Sequence, residues 1–241
     1  MIHYHGSPVG GTRLMAEGFW MREHGLVSFA HPEEVAIIAE ACQSFVLDNG
    51  AFSEWKRGKP MDVPGYIEFC REWGTRPNCD WCLIPDVIDG TEAENDSLLE
   101  TWPADLRGVP VYHLHESLER AERLSHEWHT VAVGSSGEWP IPGTDGWWLR
   151  MADVMDAMCD HGIPRCRVHG LRMLDPAIFH RLPLASADST NVAQNALRKA
   201  KKAGCSHLLG ARIIAERIES HGSAPRWVRD KQVLIPFELT N

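Results

Sequence analysis

Several large classes of protein are excluded by what this chain lacks. The opening segment, MIHYHGSPVGG, has no apolar core of the kind a signal peptide needs. No uninterrupted apolar run approaches the ~20 residues that cross a bilayer, so a soluble, cytoplasmic protein with no membrane partner is expected. Positive charge is not in surplus either. A net charge of −9 argues against a protein that wraps nucleic acid over its whole surface, though it leaves room for a local basic patch. The seven cysteines, Cys42, Cys70, Cys79, Cys82, Cys159, Cys166 and Cys205, are odd in number and do not read as a secreted disulfide framework. Internal repeats and low-complexity linkers are missing. One domain over 1–241 is the simplest reading, with 205–241 as a C-terminal helical and basic extension and with homo-oligomerisation left open.

What is present is alternation. With 44% hydrophobic residues in 241, the chain can bury a sizeable core. Short apolar runs at 2–4, 26–30, 45–47, 81–84, 109–114, 130–133, 167–169 and 184–187 read as strands. Between most of them lie helical patterns at 33–42, after Pro64, and at 91–102, 116–128, 147–159 and 175–181, with 191–202 following the last strand. Strands separated by helices form parallel sheets, and eight such units point to a single α/β domain closed as a (β/α)8 TIM-like barrel. A doubly wound open sheet is the competing architecture.

In a barrel, residues just past the carboxyl ends of the strands converge on one face, where chemistry is found. The stretch FVLDNGAF sets the pattern: a short buried run, then Asp48, then the turn residues Asn49 and Gly50, then Phe52 one turn on. A carboxylate can accept or move a proton, and a ring can stack on a flat partner. The same kind of residue recurs at the other strand ends: Asp86, His113 and His115, Gly134, His169 and Gly170, and Asp188. Carboxylates brought close together raise one another's pKa, which is one way to keep a general acid protonated near neutrality. The competing account is that each Asp caps the helix that follows, strongest for Asp188 with Ser189, Thr190 and Asn191 beside it.

Taken in order, VLDNGAF, IPDVIDG, VAVGSSGE, RVHGL and SADSTNVAQN resemble the catalytic barrel of the tRNA-guanine transglycosylase superfamily, closest to its shortened, phage-type, DNA-directed branch. The resemblance covers roughly 45–195. It implies exchange of guanine in DNA for a 7-deazaguanine such as preQ0 through a covalent aspartyl–sugar intermediate, in a host cytoplasm if phage-encoded. By that resemblance Asp188 is the nucleophile on the sugar C1′ and Asp48 the general acid/base. Phe52 would stack on the base, Asp86 would read its amide-like edge, and Gly134 would contact it through the backbone, with Asn49, His113, His115, His169 and Gly170 around them. DNA and a free deazaguanine base are the partners implied.

The chain departs from that pattern in places. The family's zinc site of three cysteines and a histidine is not recognisable, since only Cys205, His207 and His221 follow Asp188; no cofactor is expected. The glutamine turn after the fifth strand is replaced by VYHLHES. Cys79 and Cys82 form a CxxC with no second pair to complete a zinc site, and read as structural. Basic residues concentrate at Arg198, Lys199, Lys201 and Lys202, which read as a solvated helix face. A second group, Arg226, Trp227, Arg229 and Lys231, mixes a ring with charge and is the expected nucleic-acid contact. A tRNA-directed enzyme, a barrel N-glycosidase using water as acceptor, and a non-catalytic binding barrel are the alternatives.

Overall fold

The strands fold as they do because their apolar residues alternate between two buried faces. A computed structural model describes residues 1–229. In chain order it runs β1 (Ile2–Gly6), α1 (Arg13–Trp20), β2 (His24–Ser28), α2 (Val35–Ala41), β3 (Ser44–Asp48), α3 (Ala51–Lys56), α4 (Val63–Trp73), β4 (Cys79–Leu83), α5 (Glu92–Glu100), β5 (Gly108–Val109) and β6 (Val111–His113). It continues α6 (Leu118–Glu127), β7 (Thr130–Gly134), α7 (Asp145–Met158), a small hairpin of β8 (Cys159–Asp160) and β9 (Ile163–Pro164), β10 (Arg167–Gly170), α8 (Pro176–Phe179), β11 (Ser186–Ser189), α9 (Asn191–Ala203) and α10 (His207–Glu219). None of the described helices is long and apolar enough to cross a membrane.

Nine strands form one parallel sheet in the order β5-β4-β3-β2-β1-β11-β10-β7-β6. The two ends of that order, β5 and β6, are consecutive pieces of one run broken at Pro110, which has no N–H for a continuous ladder. β5 pairs with β4 through Leu83 and Val109, while β6 pairs with β7 through His113 and Gly134. The single run therefore joins both edges of the sheet. The result is the eight-staved (β/α)8 barrel that the alternation predicts.

Two layers of packing follow. Tyr4, Leu26 and Val46, with Leu83, Val109, Val111 and Ala132, fill the barrel interior. The intervening residues, among them Val27, Phe45, Leu47, Val131, Val133, Val168 and Ala187, face the helices. Because side chains alternate with period two, the next inward position after Val46 is Asp48, after Leu26 is Ser28, after Val111 is His113 and after Ala132 is Gly134. The polar residues are thus aimed into one mouth by the same alternation that builds the core.

Some boundaries differ from the sequence expectation. The last strand spans Ser186–Ser189 rather than 184–187, because its ladder with β1 pairs Tyr4 with Asp188 and His5 with Ser189. Asp188 lies inside a strand and does not cap α9. α1 is an addition to the expected elements, although Met15, Ala16, Phe19 and Trp20 recur at helical spacing behind the Thr12 cap; α3 and the β8–β9 hairpin are too short to show a period. Cys79 and Cys82 are buried on β4 facing the helices, and their thiols are pushed well up, Cys79 by its hydrogen bond with Cys82 and by burial, Cys82 by Cys70 and burial. Neither is available as a thiolate.

Candidate active site

The carboxyl ends of the strands surround a cavity of about 560 Å³, whose walls include Ser28, Asp48, Asp86, His113, Arg172 and Asp188. Aspartates from three distant parts of the chain meet there. The capping alternative is removed for Asp48 and Asp86 too, since neither carboxyl accepts from the first turn of the helix that follows: α3 has Gly50 at its N-cap and no side-chain cap, and α5 is capped by the Thr91 hydroxyl, which accepts from Glu94 N.

The turn after β3 is built around Gly50, whose φ of 77° is the left-handed conformation that a side chain disfavours. This bend brings the Gly50 N–H to 3.1 Å from Asp48 Oδ2. Asn49 lines the pocket, but its amide is spent on the scaffold: Oδ1 accepts from Ala51 N at 2.8 Å, and Nδ2 donates to Ile84 O at 3.0 Å and to Asp86 Oδ1 at 2.7 Å. Asn49 therefore positions Asp86 as well as lining the cavity.

Asp48 keeps some surface open to the cavity and is otherwise walled by protein. Burial lifts its pKa from 3.8 to about 6, and the negative charges of Asp188 and Asp86 add to this, against the Ser28 hydroxyl and the Gly50 amide. A carboxyl of that affinity can hold a proton and release it near neutrality.

Asp188, only 5% exposed, is held by one oxygen. Its Oδ1 accepts from the Arg172 backbone N–H at 2.9 Å and lies 3.3 Å from His169 Nε2. Oδ2 has no hydrogen-bond partner among the described residues, and it is the atom free to meet a ligand. His169 sits below, fully buried, its Nδ1 2.8 Å from Ser186 Oγ and its ring edge-on to Tyr4 and Trp81 inside the barrel. It orients Asp188 and does not line the cavity.

Asp86 uses both oxygens, Oδ1 with Asn49 and Oδ2 with His113 Nε2 at 2.8 Å. His113 is placed in turn by Glu116, whose Oε2 accepts from the His113 N–H at 2.8 Å and from Arg120 Nη1 at 2.6 Å. Glu116 stands outside α6 for this reason, although it was expected within the helix. A buried ion pair such as Glu116–Arg120 is costly to break from one side, so it makes a firm strut for the fifth stave.

The remaining expected residues separate into near and far. Gly134 lines the pocket, and a Cβ there would lie 3.4 Å from His113 Nδ1. Phe52 lines it too, but its ring is flanked by Arg172, with Cζ 4.2 Å from the ring centroid, and by Lys56, with Nζ at 4.5 Å. A flat ligand meets those cations along with the ring. His115 stacks behind His113 at 5.7 Å and is tied to Ser136 and to Gly90 O, outside the cavity. Gly170 packs against Leu184 and Met173, also outside it.

The expected nucleic-acid contact at Arg226, Trp227, Arg229 and Lys231 needs correction. Trp227 is buried, with its indole N–H donating to Asp156 Oδ1 at 2.6 Å, and Arg229 is ion-paired to Asp153 and Asp156. Those acids are on the second half of α7, which runs back toward the opposite end of the barrel from the cavity. Arg226 is exposed beside them, and Lys231 lies outside the described residues.

Residues that sequence reasoning missed are mostly cations. Arg172 supplies both a backbone donor to Asp188 and a guanidinium at the mouth, and its φ of 60° places it in the left-handed region. Its only sequence signal is a basic residue two places beyond Gly170. Elsewhere, His5, Glu23 and Glu219 bring ligand-type atoms within 4.8 Å of one another, outside the barrel wall and away from the cavity. Cys205 and His207 stand at one end of α10 and His221 just beyond the other, so these three do not form one group.

No family model and no curated protein matches the chain. Among solved structures, a mutant tryptophan synthase alpha-subunit from the hyperthermophile Pyrococcus furiosus superposes with a TM-score of 0.52 at 10% identity, covering 91% of this chain and 96% of that one. At such identity the likeness shows the fold alone: the chain is an α/β TIM barrel.

Proposed function

We propose that this barrel is a base-exchanging glycosyltransferase, a DNA-guanine transglycosylase that replaces guanine with a 7-deazaguanine of the preQ0 kind. The observation that carries the reading is the pairing, in one cavity, of an Asp188 oxygen without a hydrogen-bond partner among the described residues and an Asp48 carboxyl whose pKa is raised to about 6. A cavity of about 560 Å³ is of the size that takes small ring ligands.

In this mechanism the target nucleotide is turned out of the stack. Asp188 Oδ2 forms a bond to the sugar C1′ as the bond from C1′ to the guanine N9 breaks, and the departing base takes the Asp48 proton. Guanine leaves and the deazaguanine enters. Asp48, now a carboxylate, removes the N9 proton of the incoming base, whose N9 attacks C1′ and releases Asp188. Atoms and protons balance with no cofactor. Asp86 stays near the base edge with lone pairs to spare, because each carboxylate oxygen can accept more than the one bond it already makes. Arg172 holds Asp188 in line through its amide.

The test is to incubate the protein with a guanine-containing DNA strand and labelled deazaguanine, then to separate under denaturing conditions. Incorporation into DNA, with a protein–DNA adduct detected by mass spectrometry and lost in Asp188→Asn, is the expected result. Base loss without replacement would identify an N-glycosidase, and incorporation into tRNA alone a tRNA-directed enzyme. Parent-rate exchange by Asp188→Asn would remove the nucleophile.

A further inference from the structure

α9 carries two stripes with different duties. Thr190 and Gln194 face the cavity, while Asn191, Asn195, Arg198, Lys199 and Lys202, on the adjoining stripe, line a second concavity of about 600 Å³. Its other wall is α10, with Ile213, Ile214 and Arg217. The two helices approach closely because Gly210 lies against Ala196 and Ala200, where a Cβ would come within 2.6 Å of the Ala196 carbonyl oxygen. The outcome is a groove with an apolar floor and cationic walls that starts beside the cavity mouth.

The charges that line this groove are all of one sign. Arg198, Lys199, Lys202 and Arg217 make no ion pair with any carboxylate among the described residues, and none of the residues lining the groove is acidic. Arg198 only donates to Asn195 Oδ1, at 2.9 Å. In a chain of net charge −9, leaving four cations unneutralised on one face is costly, since Arg198 and Lys202 repel one another at helical spacing i, i+4. Such a face draws a polyanion. From Asn191 to Lys202 the stripe runs on the order of 16 Å along the helix, enough for several consecutive phosphates.

We propose that the α9–α10 groove binds the sugar–phosphate backbone of the DNA strand flanking the nucleotide whose base enters the cavity. The proposal rests on the reading of the cavity as a nucleic-acid base site. It moves the strand from the C-terminal segment around Trp227 to a helix face that periodicity alone describes as solvated. Cations along both walls meet the phosphates, Ile213 and Ile214 meet sugar and base surface, and Thr190 with Gln194 hand the strand on to the mouth.

Fluorescence anisotropy with a labelled single-stranded oligodeoxynucleotide and the full chain tests this, with melting curves confirming that each variant folds. The triple variant Arg198→Gln, Lys199→Gln, Lys202→Gln should weaken binding at least tenfold at moderate salt. It should also lower the slope of log affinity against log salt by about 2, since each strand phosphate accounts for ~0.7. Lys201→Gln, on the same helix but off the groove, should stay within about twofold of the parent. Equal losses from Lys201→Gln and Lys202→Gln would mean a diffuse field and would overturn the groove. So would unchanged binding by the triple variant, or tight binding of RNA but not DNA through it. Asp188→Asn should keep binding while losing exchange. A parent protein that binds DNA through the groove yet exchanges no base would sink the transglycosylase reading and leave the groove standing.

Discussion

Asp48→Asn isolates the electrostatic strain in the cavity from any assumption about substrate. Asn has nearly the same shape and keeps an acceptor for the Gly50 N–H, now 3.1 Å from Asp48 Oδ2. Burial, with Asp188 and Asp86 adding to it, raises the Asp48 pKa from 3.8 to about 6 in the folded chain. The native state therefore holds this proton more tightly than the unfolded state does. Its stabilising contribution is complete below the unfolded value and is lost as pH rises through about 6. A rise from 3.8 to about 6 corresponds to about 3 kcal/mol. Because Asp48 is only partly buried and lines the open cavity, solvent screening reduces this to on the order of 1–2 kcal/mol. Asn cannot ionise and escapes that loss. Urea unfolding at pH 8 should show Asp48→Asn more stable than the parent by about that amount, with the difference vanishing near pH 4. A variant that is destabilised at pH 8, or shifted equally at both pH values, would refute the account of three crowded carboxylates. The same substitution should abolish base exchange, so that stability is gained where function is lost.

Two further substitutions probe other parts of the molecule. The Glu23 pKa is raised from 4.5 to about 8 by burial and by the adjacent Glu219, so its contribution to stability is complete below the unfolded value and is lost as pH rises through about 8; Glu23→Gln should melt higher than the parent at pH 9 and close to it near pH 4. Arg172→Ala removes the guanidinium 4.2 Å from the Phe52 centroid but keeps the backbone N–H on Asp188, so KM for a DNA strand should rise about tenfold with kcat changed far less. An equal fall in kcat would place the guanidinium in the reacting centre instead.

The strand–helix alternation and the polar strand ends were readable because both depend on short periods. Val46 faces inward and Phe45 and Leu47 outward, and that alone directs Asp48 to the mouth. Asn49 was harder to read, since a turn residue and a buried strut look alike until Asp86 and the Ile84 carbonyl are beside it. Trp227 misled for a related reason: a ring among cations suggests a nucleic-acid contact until the acids of α7 claim both.

By itself, the sequence determined the parallel α/β barrel and the set of carboxylates at its strand ends, because local periodicity sets both the elements and the direction in which their side chains point. Only the tertiary structure decided how the ring closes through Pro110, that Arg172 and Lys56 flank Phe52, and that α9 and α10 leave four cations facing one groove. Each of those depends on segments far apart in the chain meeting in space, and no pattern within a single segment encodes which partner it will find.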